Sequence, residues 1–257
     1  MQYTLILGAE GELGRALARE VARKGSNLII VSTTYIDLQR FAIGLQLKED
    51  VMVEAAKIDL AEPEKIQDFV ENVRDRYEVR ALINNVTCDR SVAHNKCISE
   101  IAREDFLTRF RGAAQFTMGL LPQLKKLSSA YIQHIIPLPF HKEQVSEELQ
   151  ASVGKMYGFA RELEEQFKDS CISFSLLHTN PAASVSPDFE VFDGLSNEIR
   201  TFGPRIVAVK AIKGMLRGDR LIIPGFRNKV RYFLSRQAHT WLRSSGESFA
   251  SMAMNGA

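Results

Sequence analysis

The chain has 257 residues, 45% of them hydrophobic and 25% charged, with a formal net charge of +2. That length and apolar content suit one domain with a sizeable core, and so small a charge excludes a global field for nucleic acid. Three cysteines, Cys88, Cys97 and Cys171, show no metal-ligand spacing and are odd in number, which argues against a disulfide framework and for a reducing, cytoplasmic setting.

In chain order, Tyr3 to Leu7 reads as a short buried strand that runs into Gly8. Leu13, Leu17 and Val21 then keep helical spacing, and Gly25 stops the helix. Because this first strand begins almost at Met1, no secretory leader is expected. A strand at Leu28 to Val31, a helix through Leu38, Phe41 and Leu45, and a strand at Val51 to Ile58 follow. Pro63 suits the first turn of the next helix. Val79 to Ile83 is a fourth strand closed by Asn84-Asn85, and a long helix is predicted over Arg103 to Leu127. Tyr131 to Ile136 is a fifth strand, Glu147 to Phe167 a helix and Cys171 to Leu177 a sixth strand. Ile206 to Met215 is a helix, and Leu221 to Ile223 a last strand. Uniformly apolar strands alternating with helices predict an α/β fold: a doubly wound, mostly parallel sheet in three α/β/α layers, Rossmann-like. In such sheets ligands sit beyond the carboxyl ends of the strands, at the point where strand order reverses. Ser184 to Thr201 lacks periodicity and reads either as a lid or as a connecting loop.

The division is a Rossmann-like domain over 1–225 with a basic amphipathic extension over 226–257. Arg227, Lys229, Arg231 and Arg236 stand in that extension, with Phe226, Val230, Phe233 and Trp241 on one helical face. It reads as a helix docked on its own domain. A partner subunit or an anionic membrane surface are the alternatives.

Glycines at 8, 11 and 14 open the first helix. Glycine lets the backbone approach a pyrophosphate, and a helix N-terminus favours its charge. The stretch Leu7-Gly8-Ala9-Glu10-Gly11-Glu12-Leu13-Gly14 resembles the T-G-x-x-x-G-x-G motif of the short-chain dehydrogenase/reductase family, with Leu7 for Thr and Glu12 for the middle Gly. Asp59-Leu60 resembles the family's adenine-contacting Asp, and Asn84-Asn85-Val86-Thr87 its N-N-A-G. Ile223-Pro224-Gly225 also resembles family members. The resemblance covers roughly residues 1 to 230. It implies a nicotinamide dinucleotide held by Gly8, Glu10, Gly11, Leu13, Gly14, Thr33, Asp59, Leu60, Asn85 and Val86. Ser32, Thr33 and Thr34 stand where the family discriminates NAD from NADP, and they offer neither an acid nor an arginine. Either cofactor is accommodated, with a lean to NADP. Glu10 and Glu12 would repel a pyrophosphate, with Arg15 as an offset. The alternative is that binding has been lost and that Gly8, Asp59 and Asn85 only brace strand ends. Family members pair through the long helix and the one after the fifth strand, so a homodimer or tetramer is implied.

The family exchanges its proton through a Tyr-x-x-x-Lys pair on one helix face, a serine and an asparagine. Leu149-Gln150-Ala151-Ser152-Val153-Gly154-Lys155-Met156-Tyr157-Gly158-Phe159 is similar to the family's Y-x-A-S-K-A-A-x-x-G-F. In that register the tyrosine is Leu149 and the lysine Val153. The serine falls at Ile136 or Pro137, and matching Arg111-Gly112-Ala113 places the asparagine at Arg109. No catalytic residue and no metal site are therefore assigned. Tyr157 and Arg161 keep the Tyr-x-x-x spacing eight residues late, about 12 Å along a helix, and read as packing and surface residues. Lys155 points to another face. His134, His141 and His178 are placed near the cleft mouth, and Cys88 and Cys97 after the fourth strand. None has a partner pattern that specifies chemistry. The leading expectation is a catalytically silent member that binds NAD(P). An oxidoreductase of atypical mechanism and an interaction module without cofactor are the rivals.

Overall fold

The computed structural model describes residues 1–33, 37–85, 98–137, 147–179, 202–225 and 229; for 98–106, 137 and 147–153 it describes the backbone. Seven strands form one sheet: β1 (Gln2–Leu7), β2 (Asn27–Ser32), β3 (Val53–Lys57), β4 (Glu78–Asn85), β5 (Ala130–Pro137), β6 (Ile172–Thr179) and β7 (Leu221–Ile222). Their order is β3-β2-β1-β4-β5-β6-β7. Every pairing is parallel, so the sheet is more uniform than the mixed arrangement the pattern left open.

Among the described residues six helices cross between the strands: α1 (Glu12–Arg23), α2 (Leu38–Glu49), α3 (Pro63–Arg76), α4 (Ile98–Leu124), α5 (Glu147–Gln166) and α6 (Pro204–Leu216). Successive strand residues point to opposite faces, and each face carries its own core. Leu5, Leu7, Leu82 and Ile132 pack with Ile66, Phe116 and Leu163 of α3, α4 and α5. Ile6, Ile30, Ile83 and Leu177 pack with Leu17, Leu45 and Ile212 of α1, α2 and α6. Burial on both faces explains the unbroken apolar runs of the inner strands such as β1 and β2, whereas the edge strand β3 exposes Glu54 and Lys57. No helix among the described residues is long and apolar enough to cross a membrane.

Boundaries moved where hydrogen bonding outran hydrophobicity. β4 continues through Asn84 and Asn85, whose backbones pair with β5. Sequence reading ends that strand at Ile83 because the two asparagines are polar. α4 starts at Ile98, earlier than the predicted Arg103.

Strand order reverses between β1 and β4. The helix following β1 lies on one face, and α4, which follows β4, lies on the other. This is the geometry that opens a crevice beyond the carboxyl ends of these two strands.

Candidate dinucleotide site

The turn from β1 to α1 forms the crevice floor. Gly8 adopts φ +72°, and a Cβ there would lie 2.2 Å from the Asn85 carbonyl oxygen. A Cβ on Gly14 would lie 2.1 Å from the Gly8 carbonyl oxygen. These two glycines are thus required by the fold. Gly11 differs: its φ is −79°, ordinary for any residue, and a Cβ there would meet nothing within 4 Å. Gly11 is the N-cap of α1, and no side chain caps the first turn. Orphan backbone N–H groups at a helix start attract an anion.

Asn85 Nδ2 donates to the Gly8 carbonyl oxygen at 2.9 Å, tying the end of β4 to the turn after β1. The bracing role expected for Gly8 and Asn85 is therefore present. Leu13 is buried in the α1-side core. Asp59 is exposed, and its Oδ1 accepts from the Ala61 N–H at 2.9 Å, closing the turn between β3 and α3. Leu60 is buried against α4, where a Cβ on Gly112 would lie 2.9 Å from the Leu60 Cβ. At the end of β2, Ser32 is buried and Thr33 half-buried. Val86 and Thr34 lie outside the described residues.

The expected repulsion from Glu10 is resolved differently from the reading that gave Arg15 the compensating role. Arg15 Nε donates to the Glu10 main-chain oxygen at 3.3 Å, and its guanidinium lies 5.4 Å from the centre of the Phe41 ring. The Glu10 carboxylate instead pairs with Arg109 of α4 at 2.9 Å, with side-chain exposures of 15% and 14%. Arg109 wins because α4 carries it to the crevice edge opposite Glu10, while Arg15 sits one helical turn into α1 and lies over Phe41. Glu10 Oε2 is buried and takes no hydrogen bond among the described residues. This ion pair escaped the sequence reading, yet a cation at Arg109, the position matched to an asparagine, and a carboxylate at Glu10 in the glycine turn were a usable signal.

Two histidines also need correction. His134 and His178 are 1% and 0% exposed and do not stand at the cleft mouth. Their strands turn them inward onto α4 and α5. Asn84 Nδ2 donates to Thr117 Oγ1 at 2.9 Å and lies 3.2 Å from His134 Nδ1; Thr117 Oγ1 in turn donates to the Ala113 carbonyl at 2.7 Å. His134 packs edge-on against Phe159. The Tyr157 hydroxyl hydrogen-bonds the His178 imidazole. Burial pushes the His134 imidazole down to about 4 and that of His178 down to about 3. Both are neutral at physiological pH and shielded from solvent. Tyr157 is half-buried, and Lys155 and Arg161 are exposed, as their packing and surface roles require.

Of the positions matched to the family's proton-transfer residues, Ile136 is wholly buried and apolar, and Arg109 is engaged with Glu10. Leu149 and Val153 fall within α5, and Pro137 ends β5. His141, Cys88, Cys97 and nearly all of the basic extension lie outside the described residues; Cys171 is a half-buried free thiol.

The family model described as short chain dehydrogenase matches residues 2–137, more than half of the 257 residues. The chain belongs to the short-chain dehydrogenase family. It is 32% identical over 91 residues to a very-long-chain 3-oxoacyl-CoA reductase of Vanderwaltozyma polyspora, covering 35% of this chain and 26% of that one. With human dehydrogenase/reductase SDR family member 12 it shares 26% identity over 125 residues, 48% of this chain and 38% of the relative. These alignments span well under half the length of either relative. Among solved structures, a short-chain dehydrogenase from Sphingobium yanoikuyae in complex with NADPH superimposes with a TM-score of 0.75 at 19% identity, covering 97% of both chains. One from Burkholderia phymatum in complex with NAD superimposes with a TM-score of 0.69 at 16% identity, covering 86% of this chain and 88% of that one. At such identities the family fold is what is shared.

Proposed function

We propose that this family member binds a nicotinamide dinucleotide at the β1–α1 turn and acts without the family's proton-transfer residues, through cofactor occupancy and not turnover. The observation that carries the binding half is Gly11. Nothing in the fold requires glycine there, and the position faces open space at the uncapped start of a helix, beside the strand-order reversal. A bound nicotinamide would supply hydride chemistry. This chain's own residues would hold the diphosphate on the first-turn N–H groups of α1, with Thr33 beside the adenosine ribose.

The silent half rests on what stands around that crevice. Ile136 offers no hydroxyl, and Arg109 carries a permanent charge that cannot exchange a proton near neutral pH. In the motif match to the family's Y-x-A-S-K stretch, Leu149 and Val153 stand at the tyrosine and lysine positions. Neither buried histidine suits the role of substitute acid, because a neutral imidazole is a very weak acid and both rings are buried. The lean to NADP rests on the missing acid after β2, and assembly through α4 and α5 on the family's habit.

Titration of the purified protein with NADPH and NADH, followed by nicotinamide fluorescence and melting temperature, tests the first half. Micromolar binding is expected, and no shift at millimolar cofactor would overturn it. Steady NADPH consumption with any of a panel of aldehydes and ketones would overturn the second half.

A further inference from the structure

We infer that the Glu10–Arg109 ion pair is a latch across the dinucleotide crevice, and that Arg109 exchanges the Glu10 carboxylate for the diphosphate of an incoming dinucleotide. The inference rests on the dinucleotide reading above and adds to it a built-in competitor for the site. Glu10 lies in the turn after β1, and Arg109 on the helix that follows β4. Those strands are neighbours whose helices lie on opposite faces of the sheet. A contact between the two side chains therefore spans the opening between the faces. They are 99 residues apart and join at 2.9 Å.

The chemistry favours exchange. Both side chains are largely withdrawn from water, at 14% and 15% exposure, so each charge depends on a partner. Glu10 meets Arg109 through Oε1, while Oε2 is buried with no hydrogen-bond partner among the described residues. The carboxylate is thus held in a site that satisfies half of it. A guanidinium is a planar fork suited to paired phosphate oxygens, and a diphosphate brings two negative charges where Glu10 brings one. On exchange, Glu10 would be free to turn from the crevice into water, and the repulsion it exerts on the ligand would weaken with it.

The test is a double-mutant cycle in NADPH affinity using wild type, Glu10→Gln, Arg109→Gln and the double variant, each first shown to melt cooperatively. Glu10→Gln is expected to tighten binding about tenfold and Arg109→Gln to weaken it about tenfold, one decade being about 1.4 kcal/mol. In the Arg109→Gln background the gain from Glu10→Gln is expected to shrink to about twofold or less, because the residue it would release is gone. An equal gain in both backgrounds would show simple charge removal and overturn the latch, as would no gain in either. Should Arg109→Gln fail to fold, Arg109→Lys serves in its place, keeping the charge but losing the fork. If Glu10→Gln binds and wild type does not, the latch stands and the claim that the native protein binds cofactor falls. If wild type binds with the affinity of Glu10→Gln, the latch alone falls. If none of the folded proteins binds, both fall.

Discussion

At the scale of single residues, the three glycines after β1 do different work, although a motif treats them alike. Gly8 and Gly14 are fixed by backbone atoms about 2 Å from where a Cβ would sit, and backbone cannot yield as a side chain can. Gly14→Ala is therefore expected to destabilise the protein by about 3 kcal/mol or more, read as a lower midpoint in urea unfolding. Gly11→Ala places its methyl in open space and alters only an N-cap, for a change of about 1 kcal/mol or less. The same methyl stands where a diphosphate would approach, so NADPH affinity should drop at least tenfold while the urea midpoint hardly moves. Equal affinity in Gly11→Ala and wild type would remove the observation on which the dinucleotide reading chiefly rests.

At the scale of elements, α4 connects the core to the candidate site. It closes on α3 through Gly119, where a Cβ would lie 2.6 Å from Val70 Cγ1. Further upstream Gly112 lies against Leu60, and about one turn beyond that the helix presents Arg109 to Glu10. Two effects oppose each other at Gly119. Alanine gains about 1 kcal/mol of helix propensity, while overpacking a close helix contact costs about 1–3 kcal/mol. Val70 is β-branched and cannot rotate away cheaply, so overpacking wins in the native background. Gly119→Ala is expected to lower the denaturation midpoint there and to raise it in a Val70→Ala background. A loss of the same size in both would mean that the α3–α4 contact does not set the cost.

At the scale of the whole molecule, two buried imidazoles link stability to pH. His134 and His178 remain neutral in the folded chain down to about 4 and about 3, whereas an unfolded histidine takes up its proton near 6.5. Below that value the unfolded chain binds protons that the native chain refuses. Stability is therefore full above pH 6.5 and falls as the pH drops towards 4, by up to about 1.4 kcal/mol per pH unit for each histidine. The melting temperature should accordingly fall from pH 7 to pH 5. In His178→Gln, which keeps a hydrogen-bonding group for Tyr157, the decline should be shallower, leaving the share that belongs to His134. Parallel declines in the two proteins would place the acid sensitivity elsewhere.

The α/β class, the seven strands and six helices of the described residues and the glycine turn were legible in the sequence, because periodicity and glycine placement are local properties of the chain. The polar ends of β4 were not, since Asn84 and Asn85 are held in the sheet by backbone bonds to β5 that hydrophobicity does not encode. The residue types at the positions matched to proton transfer were readable, but not the partner that Arg109 finds. Arg109 is 99 residues from Glu10 in the chain, and only the adjacency of β1 and β4 brings the two charges together. Likewise the sequence gives no sign that His134 and His178 turn inward, because side chains alternate along a strand and register alone decides which of them meet α4 and α5 and which meet the core on the opposite face. The sequence determined the elements and the residue types at the positions matched to proton transfer. The tertiary structure decided which charges face each other across the crevice and which histidines are sealed from solvent, because both depend on long-range pairing.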